Sequence, residues 1–395
     1  MKKIILKSVG LFFAMVMLSV HIGYSQEDWK TDARGSRAIN TAALFLTIAP
    51  DARGGGMADV GVSSSADVTS LYWNPAKYAF IENTFGFQLS YVPWLTALVD
   101  DIGLMSLYGY WKINDQNAIA ASLRYFTIGE VKFYNIEGDP MGDFNPNEFA
   151  IDATYSRKFS EKISGAVAAR FVYSNLTQGQ SSGGADTKAG SSVAADVAFY
   201  YREPIDVAYG STLSVGVNIA NIGTKMSYSH SAADMRNFIP TTLRFGPSYE
   251  IEIDRYNSIA AYIDISKLLV PTTPIYSDTT LSGDRERYII KGKDPQVSVF
   301  QGMIQSFYDA PGGFKEEMAE FMFGLGAEYW YNKQFGIRLG YFNENRYKGN
   351  RKYLGIGASV KFNIFDLGVS YIIPTNSQMS PQDNTLRFSL SFNFQ

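Results

Sequence analysis

The sequence predicts an all-β fold, a transmembrane antiparallel outer-membrane β-barrel of about 14 strands with an N-terminal plug segment and short helices in a long extracellular loop. Three observations predict it. Runs of alternating apolar and polar residues recur over residues 84–395, and the joints between them are alternately short and long. A secretory leader precedes these runs. No later stretch of about 18 apolar residues offers a transmembrane helix.

The leader combines N-terminal lysines with a short apolar run. The run covers residues 9–20, and small residues come just before Gln26. This pattern is typical of a secretory signal peptide, and the run is too short to span a bilayer. We expect residues 1–25 to be removed and the mature chain to begin at Gln26. A retained anchor helix is the alternative.

Composition narrows the classes of function. The chain of 395 residues contains no cysteine, which excludes a disulfide framework, thiol chemistry and a cysteine-ligated metal. It contains 26 Tyr, 27 Phe and 35 Gly but only 18% charged residues, a balance that suits barrel strands with aromatic girdles. The net charge of -3 argues against nucleic acid as a partner. Composition alone leaves a large soluble β-protein open.

Residues 26–83 lack the period of a strand. Residues 42–49 predict a short apolar helix, and a glycine-rich stretch follows, with Asn74, Pro75 and Ala76 near its end. A solvated periplasmic segment would be more charged, so the small and apolar residues favour a plug inside the barrel.

Residues 84–395 predict the barrel itself. In the last run, residues 385–395, apolar residues alternate with polar ones without a break, which gives a strand one face of each kind. The apolar face suits lipid, the polar face an interior, and the edges need neighbours in a closed barrel. Alternation of short and long joints is typical of an outer-membrane barrel, with short turns in the periplasm and long loops outside. An even strand count predicts both termini, and the plug, on the periplasmic side.

Charged residues recur on the predicted lumen face. In hydrocarbon each basic one would cost about 2–4 kcal/mol near the midplane, so we expect them to point inward and pair there. An ion-pair network around the plug is the favoured interpretation, and a solute-conducting pathway is the alternative. The residues are Arg124, Asp152, Arg170, Asp196, Arg244, Asp264, Glu328, Arg338 and Arg387.

No pattern predicts an enzyme. The only histidine after Gln26 is His230, in a predicted loop, so any Ser-His-Asp relay would have to include it. No G-x-S-x-G sequence is present, and one histidine is too few for a histidine-rich metal site. We predict no catalytic, cofactor-binding or metal-binding residues.

The long joint over residues 269–320 contains a helical pattern. Its apolar residues are spaced by three and four, and residues 309–313 would end the helix before a second short one. Such a helix either folds down to cap the lumen or offers a surface to a partner, and both interpretations stay open. We expect partner-binding residues here and in the first loop: Phe300, Met303, Ile304, Phe307, Phe314, Trp94, Leu95 and Leu98.

Residues 49–80 resemble the amino-terminal signature of the long-chain fatty acid transporter (FadL) superfamily, whose 14-stranded barrels carry a plug and an Asn-Pro-Ala motif, here Asn74, Pro75 and Ala76. The chain more closely resembles the PorV (LptO) family of the type IX secretion system. The resemblance lies in residues 49–80, SKLLVPTTP from Ser266, QSFYDAPGGFKEEM, and NTLRFSLSFNFQ at the end of the chain. The similarity covers almost the whole mature chain. The related PorQ family is the nearest alternative.

The resemblance implies a secretion shuttle. Members of this family associate with a large translocon barrel (SprA/Sov-like) and receive cargo by its C-terminal signal domain. They carry it to a surface attachment complex, whose PorU-like sortase joins the cargo to lipopolysaccharide of the outer membrane. The outer loops would bind the signal domain. A FadL-like transporter of hydrophobic small molecules and a lipid A or lipopolysaccharide deacylase are the alternatives; no cofactor is implied.

Overall fold

A closed barrel of 14 antiparallel strands forms the body of the protein, as the sequence predicts. Each strand pairs with its neighbours along the chain, and the first strand closes the barrel on the last, with Phe85 opposite Phe394 and Tyr91 opposite Phe388. The computed structural model describes residues 37–94, 101–134, 140–176, 187–206, 209–229, 236–277, 288–376 and 384–395. The predicted signal peptide and start of the mature chain lie outside the described residues, as does His230.

The barrel strands are β1 (Phe85–Pro93), β2 (Gly103–Lys112), β3 (Asn117–Thr127), β4 (Asn147–Lys158), β5 (Ile163–Asn175), β6 (Gly190–Ile205), β7 (Ser211–Gly223), β8 (Thr242–Glu252), β9 (Asn257–Leu268), β10 (Met322–Tyr331), β11 (Phe335–Asn343), β12 (Lys352–Phe362), β13 (Phe365–Pro374) and β14 (Leu386–Phe394). The described helices are the 3-10 helices Leu44–Thr47 and Pro75–Phe80 and the α-helices α1 (Ala52–Gly56), α2 (Ser70–Trp73), α3 (Val299–Gln305) and α4 (Phe314–Ala319). Two hairpins stand apart from the barrel sheet, Val131–Tyr134 with Pro140–Phe144 and Ile275–Tyr276 with Ile289–Lys291. None of the described helices is long and apolar enough to cross a membrane.

The alternation within each strand sorts side chains between the two faces of the barrel. In β14, Leu386 and Phe388 are 40% and 42% exposed, whereas Arg387 and Ser389 are buried. Successive side chains of a strand point to opposite faces, so the apolar set forms the outer surface and the polar set the lumen.

The joints between strands sort by length to the two ends of the barrel. One end, which we term the short-turn end, has joints such as 332–334 and 363–364. The opposite end, which we term the long-loop end, has joints such as 224–241 and 269–321. Asn332 has a φ of 52° and Asn363 one of 55°, the left-handed conformation that tight hairpin turns need.

The N-terminal segment runs through the whole lumen. At the long-loop end the Arg37 N–H donates to the Tyr347 carbonyl at 2.7 Å, and the Ala42 N–H to the Phe238 carbonyl at 2.8 Å. The chain then descends to enter β1 at the short-turn end. We expected the plug at the mouth shared by both termini. Instead it crosses the lumen, and the first described residue lies at the opposite end of the barrel from Gln395.

The apolar stretch at the start of this segment forms a 3-10 helix, Leu44–Thr47, where an apolar helix was predicted. Phe45 and Leu46 are buried against residues at the long-loop ends of the strands, among them Val92 and Phe126. This part of the plug therefore closes the lumen at that end by apolar packing.

Buried charges attach the middle of the plug to the barrel wall. Arg53 pairs with Glu328 at 2.8 Å, and Glu328 also pairs with Arg338 at 2.7 Å. Asp264 accepts the N–H groups of Gly61 and Val62 at 2.8 and 2.9 Å. The predicted network around the plug is confirmed at these residues.

A second set of charges lies within the wall. Asp152 of β4 pairs with Arg170 of β5 and with Arg124 of β3, and Arg170 also pairs with Asp196 of β6 at 3.0 Å. All four side chains are buried. They join four neighbouring strands, so these inward charges stabilise the pairing of the barrel strands and affect the plug only indirectly.

Candidate functional site

Two short helices in the joint between β9 and β10 expose their apolar side chains. In α3, Phe300 and Ile304 are 71% and 65% exposed, and Phe314 of α4 is 78% exposed. Met303 is half-buried. Large exposed apolar side chains on neighbouring turns mark a surface that another molecule covers. We term this set the loop apolar face: Phe300, Ile304, Phe307, Tyr308, Phe314 and Met318.

The small and polar side of α3 packs inward. A Cβ at Gly302 would lie 2.8 Å from the Phe238 ring and 3.2 Å from Pro271, so a larger residue would force the helix away. Gln305 is buried and donates to the Asp294 carbonyl at 2.8 Å. The orientation of the helix therefore leaves its apolar side outward.

Buried charges hold α4 on the barrel. Lys267 of β9 donates to Glu320 and, at 3.3 Å, to Glu317. Lys348, in the joint after β11, donates to Glu316 at 2.6 Å and to Glu320 at 2.8 Å. These side chains are all buried. We term them, with Arg37, the buried ion cluster: Arg37, Lys267, Glu316, Glu317, Glu320 and Lys348.

The carboxylates of this cluster have further donors. Arg37 donates to Glu316 at 3.1 Å, and the Thr272 hydroxyl donates to Glu320 at 2.6 Å. Buried charges are tolerated only when they are paired and hydrogen-bonded, so each of these contacts favours one orientation of α4. Because the charged side of the helix faces the barrel, Phe314 on its other side faces away.

Asp309 lies beside the cluster, in the turn between α3 and α4. It accepts the Thr272 N–H at 3.2 Å. Burial, together with the negative charge of Glu317, raises the pKa of Asp309 to about 7. Near neutral pH the loop therefore carries a carboxyl group that is only partly ionised.

The first loop does not join this surface as expected. Trp94 is only 8% exposed, its backbone N–H donates to the Ile102 carbonyl at 2.9 Å, and its side chain belongs to the same apolar cluster as Phe45. The plug reaches this end of the barrel and covers the indole, which is why Trp94 is not part of an exposed rim. Leu95 and Leu98 lie outside the described residues. The partner-binding role of the helical residues stays a prediction.

The Asn-Pro-Ala sequence ties the plug to the wall. The Asn74 side-chain amide donates to the carbonyls of Val62 and Phe199, both at 3.0 Å, and its oxygen accepts the Ala76 N–H at 3.1 Å. Pro75 occupies the first turn of the 3-10 helix that Asn74 caps, where a missing N–H is harmless. The motif thus fixes the plug in the lumen.

The plug divides the lumen into two cavities. At the short-turn end a cavity of about 570 Å³ is lined mainly by polar and charged side chains, among them Arg53, Glu250 and Asp366. At the long-loop end a smaller cavity of about 210 Å³ is lined by both apolar and charged residues, including Leu44 and Arg244.

Sequence reasoning missed the buried ion cluster. Lys267 and Lys348 are far apart in the sequence, and nothing local predicts that both reach the same helix. One local signal exists: Phe314 and Met318 are four residues apart, as are Glu316 and Glu320, which gives α4 one apolar and one acidic side.

One solved structure shows the same fold, and two others are similar to a lesser degree. A deletion mutant of TodX, a monoaromatic hydrocarbon channel, superposes with a TM-score of 0.51 at 11% identity, over 87% of this chain and 99% of its own. The Pseudomonas putida toluene transporter TodX gives a TM-score of 0.49 at 12% identity, over 88% and 99% of the two chains. A Pseudomonas aeruginosa FadL homologue gives 0.45 at 10% identity, over 91% and 100%. At such identities the likeness extends to the fold alone.

Comparison of sequences identifies the family. No curated protein matches the chain. The family described as type IX secretion system protein PorV matches residues 31–275, more than half of the chain. Together with the barrel, this match places the protein in the outer membrane, and the chain belongs to the PorV family of type IX secretion system proteins.

Proposed function

We propose that this protein is an adaptor that binds the C-terminal signal domain of secreted cargo at its long-loop end. It would take the cargo from the translocon barrel and deliver it to the sortase attachment complex. The observation that carries the proposal is the loop apolar face, whose side chains are 46% to 78% exposed.

The proposed orientation puts the long-loop end at the cell surface and the short-turn end in the periplasm. Long loops outside and short turns inside are the rule for outer-membrane barrels. The loop apolar face would then meet cargo as it emerges, and Gln395 would lie on the periplasmic side.

Rigid attachment supports a docking role. The buried ion cluster joins α4 to β9, to the joint after β11 and to the N-terminal segment through Arg37. A binding surface that is already ordered loses less conformational entropy on association. We infer that the cluster keeps the apolar side chains presented before cargo arrives.

Transport of hydrophobic small molecules is less well supported. The larger cavity has a polar lining that includes Arg53, Glu250 and Asp366, which would not favour an apolar solute. The plug is tied to the wall by Glu328 and Asp264, so a pathway would require these bonds to break. We likewise propose a role without catalysis.

The test replaces part of the loop apolar face. The triple variant Phe300→Ser, Ile304→Ser and Phe307→Ser removes three exposed side chains of the loop, of which Phe307 has the Lys267 ammonium of β9 5.7 Å from its ring centroid. A tagged protein should lose co-purifying cargo from its own membranes, because a few large side chains buried in an interface carry most of its binding energy. It should keep its heat-modifiable folded band.

The matched control changes exposed apolar residues at the opposite end, Ile113→Ser, Phe159→Ser and Ile253→Ser. This control should retain cargo with a shared C-terminal domain and the large translocon barrel. Undiminished cargo with the loop variant would contradict the proposal. Recovery of the wild-type barrel alone, carrying bound lipid, would favour the transporter.

A further inference from the structure

The cavity at the long-loop end lies at the same end of the barrel as the loop apolar face. Its volume is about 210 Å³, and it lies between the N-terminal segment and the ends of β8 to β12. Leu44 is 61% exposed, and Leu268 and Phe342 add further apolar wall. Glu320, which directly follows α4, and Lys348, which pairs with Glu316 of α4, both line the cavity. The buried ion cluster therefore contributes to the wall of the cavity.

Most of the basic side chains around this cavity have carboxylate partners. Arg351 donates to Glu344 at 2.8 and 3.0 Å, and Lys348 donates to Glu316 and Glu320. Within each of these pairs the positive and negative charges neutralise each other. They leave little positive charge for a ligand.

Arg244 is different. Within the described ranges, no carboxylate lies within ion-pair distance of its guanidinium, which donates to the Tyr72 carbonyl at 3.3 Å and the Tyr72 hydroxyl at 3.2 Å. The guanidinium lies over the rings of Tyr72 and Trp73, 4.8 and 5.3 Å from their centroids. Stacking holds the planar group in one orientation and leaves several of its five N–H donors for another molecule.

A half-buried, oriented guanidinium is suited to a carboxylate. The pair forms two parallel charge-assisted hydrogen bonds, and partial burial strengthens them relative to a surface pair. Leu44 and Leu268 lie in the same cavity and offer contact to an apolar group carried by the carboxylate. The ligand predicted by this arrangement is small, anionic at one end and apolar beside it.

We propose that the cavity receives the C-terminal carboxylate of a polypeptide whose last side chain is apolar, with Arg244 binding the carboxylate. The charged pairs in the wall suit backbone amides better than an acyl chain, and the volume is small for a long one. The inference rests on the proposed function in one respect: the polypeptide would be the end of the cargo signal domain.

The first experiment measures the site without cargo. Detergent-solubilised protein is titrated with N-acetyl-Ala-Leu, with its C-terminal amide and with octanoate. The free acid should bind about tenfold to a hundredfold more tightly than the amide, as a charge-assisted pair implies. Arg244→Gln should abolish this difference in affinity. Arg244→Lys keeps the positive charge but not the planar pair of N–H donors, so it should retain part of the difference.

The matched control is Arg202→Gln, in the cavity at the other end of the lumen, which should behave as wild type. Equal binding of acid and amide to the wild-type protein would overturn the inference, and octanoate binding as tightly as the peptide acid would assign the site to a lipid. A heat-modifiable band must persist in each variant. The wild-type comparison of acid with amide decides the question even if Arg244→Gln fails to fold.

The second experiment separates this inference from the proposed function. A signal domain from a protein recovered in the pull-down is prepared with a free C-terminal carboxylate and as the amide. Both proposals are supported if the wild-type protein binds the amide more weakly than the free acid and Arg244→Gln binds the two forms equally. Tight, equal binding of the two forms overturns the cavity inference alone. No binding of either form overturns the adaptor role and leaves the dipeptide titration to decide the site.

Discussion

The plug and the loop helices are both attached to the barrel by buried charges, yet they differ in what they leave exposed. The plug buries most of its large apolar side chains, such as Leu71 and Trp73, inside the lumen, and Leu44 is the exception. The loop helices bury acids and expose Phe300 and Phe314. The apolar side chains of the plug are therefore mostly covered by the barrel. Among the residues that the structure describes, none covers the apolar side of the loop helices, which is why we propose partner binding for them.

The attachment itself has the same physical basis in both regions. Arg387 pairs with Asp59 of the plug, and Lys267 pairs with Glu320 of the loop. Removing one partner of a buried pair leaves an uncompensated charge and costs about 3–5 kcal/mol. Each region can therefore be loosened by one substitution in the barrel, without altering the region itself.

The largest expected effect is that of Lys267→Met. It leaves Glu317 without its cation and Glu320 with Lys348 alone, and we expect residues 299–320 to open more readily by about 3–5 kcal/mol. Hydrogen exchange should rise there and stay unchanged in residues 51–62. Cargo recovery should fall, because the loop apolar face is no longer held in place.

Arg387→Met is the counterpart, and it should give the reverse pattern, with faster exchange in residues 51–62 alone. Lys333→Met serves as the control, because its pair with Glu252 is exposed and such pairs are worth about 0–1 kcal/mol. If each barrel substitution loosened both regions, the plug and the loop would be one unit, and the comparison drawn above would be wrong.

A smaller effect is expected from pH. The pKa of Asp309 is raised from its ordinary value of 3.8 to about 7, so the folded loop holds a proton that the open loop releases. The free energy of opening should therefore be highest at acid pH and should fall as pH rises through 7. Hydrogen exchange of residues 299–320 from about pH 5 to about pH 8 measures this.

Asp309→Asn removes the titrating group and still offers an oxygen to the Thr272 N–H. Exchange of the loop in this variant should be slower than in the wild type at the alkaline end, with a flatter dependence on pH. A wild-type loop that becomes more protected as pH rises would show that the sign is wrong.

Sequence periodicity predicted the barrel because the pattern is local. Alternation in β14 fixes which side chains face lipid, and tight turns such as 332–334 fix the strand order. The spacing of Phe300, Ile304 and Phe307 likewise predicted a helix with one apolar side. The direction of that side was not predictable, since it depends on Lys267 and buried acids that come together only in the fold.

The course of the plug was not predictable for a related reason. An even number of strands predicts that the first strand begins and the last strand ends at the same end of the barrel. It does not predict the course of a segment that passes through the lumen. Phe45 finds its apolar partners only where Val92 and Trp94 leave the barrel at the long-loop end. The same contacts explain why Trp94 is buried although its sequence resembles an exposed loop.

The smallest perturbation tests the direction of the plug. Ala38→Cys is at an exposed position at the long-loop end and should change stability by no more than about 0.5 kcal/mol. Because the chain has no cysteine, a membrane-impermeant maleimide on intact cells should label this variant alone. Asp115→Cys, exposed in a turn at the other end, should remain unlabelled. Labelling of Asp115→Cys in place of Ala38→Cys would reverse the proposed orientation.

The most direct measurement is cross-linking from the loop apolar face in living cells. Ile304→Cys carries the only thiol of the chain, so a photoreactive maleimide attached there reports what covers the surface. We predict adducts with proteins that share one C-terminal domain, and none of these from Ile113→Cys at the opposite end. Adducts of Ile304→Cys with lipid alone, or the same proteins from both positions, would contradict it.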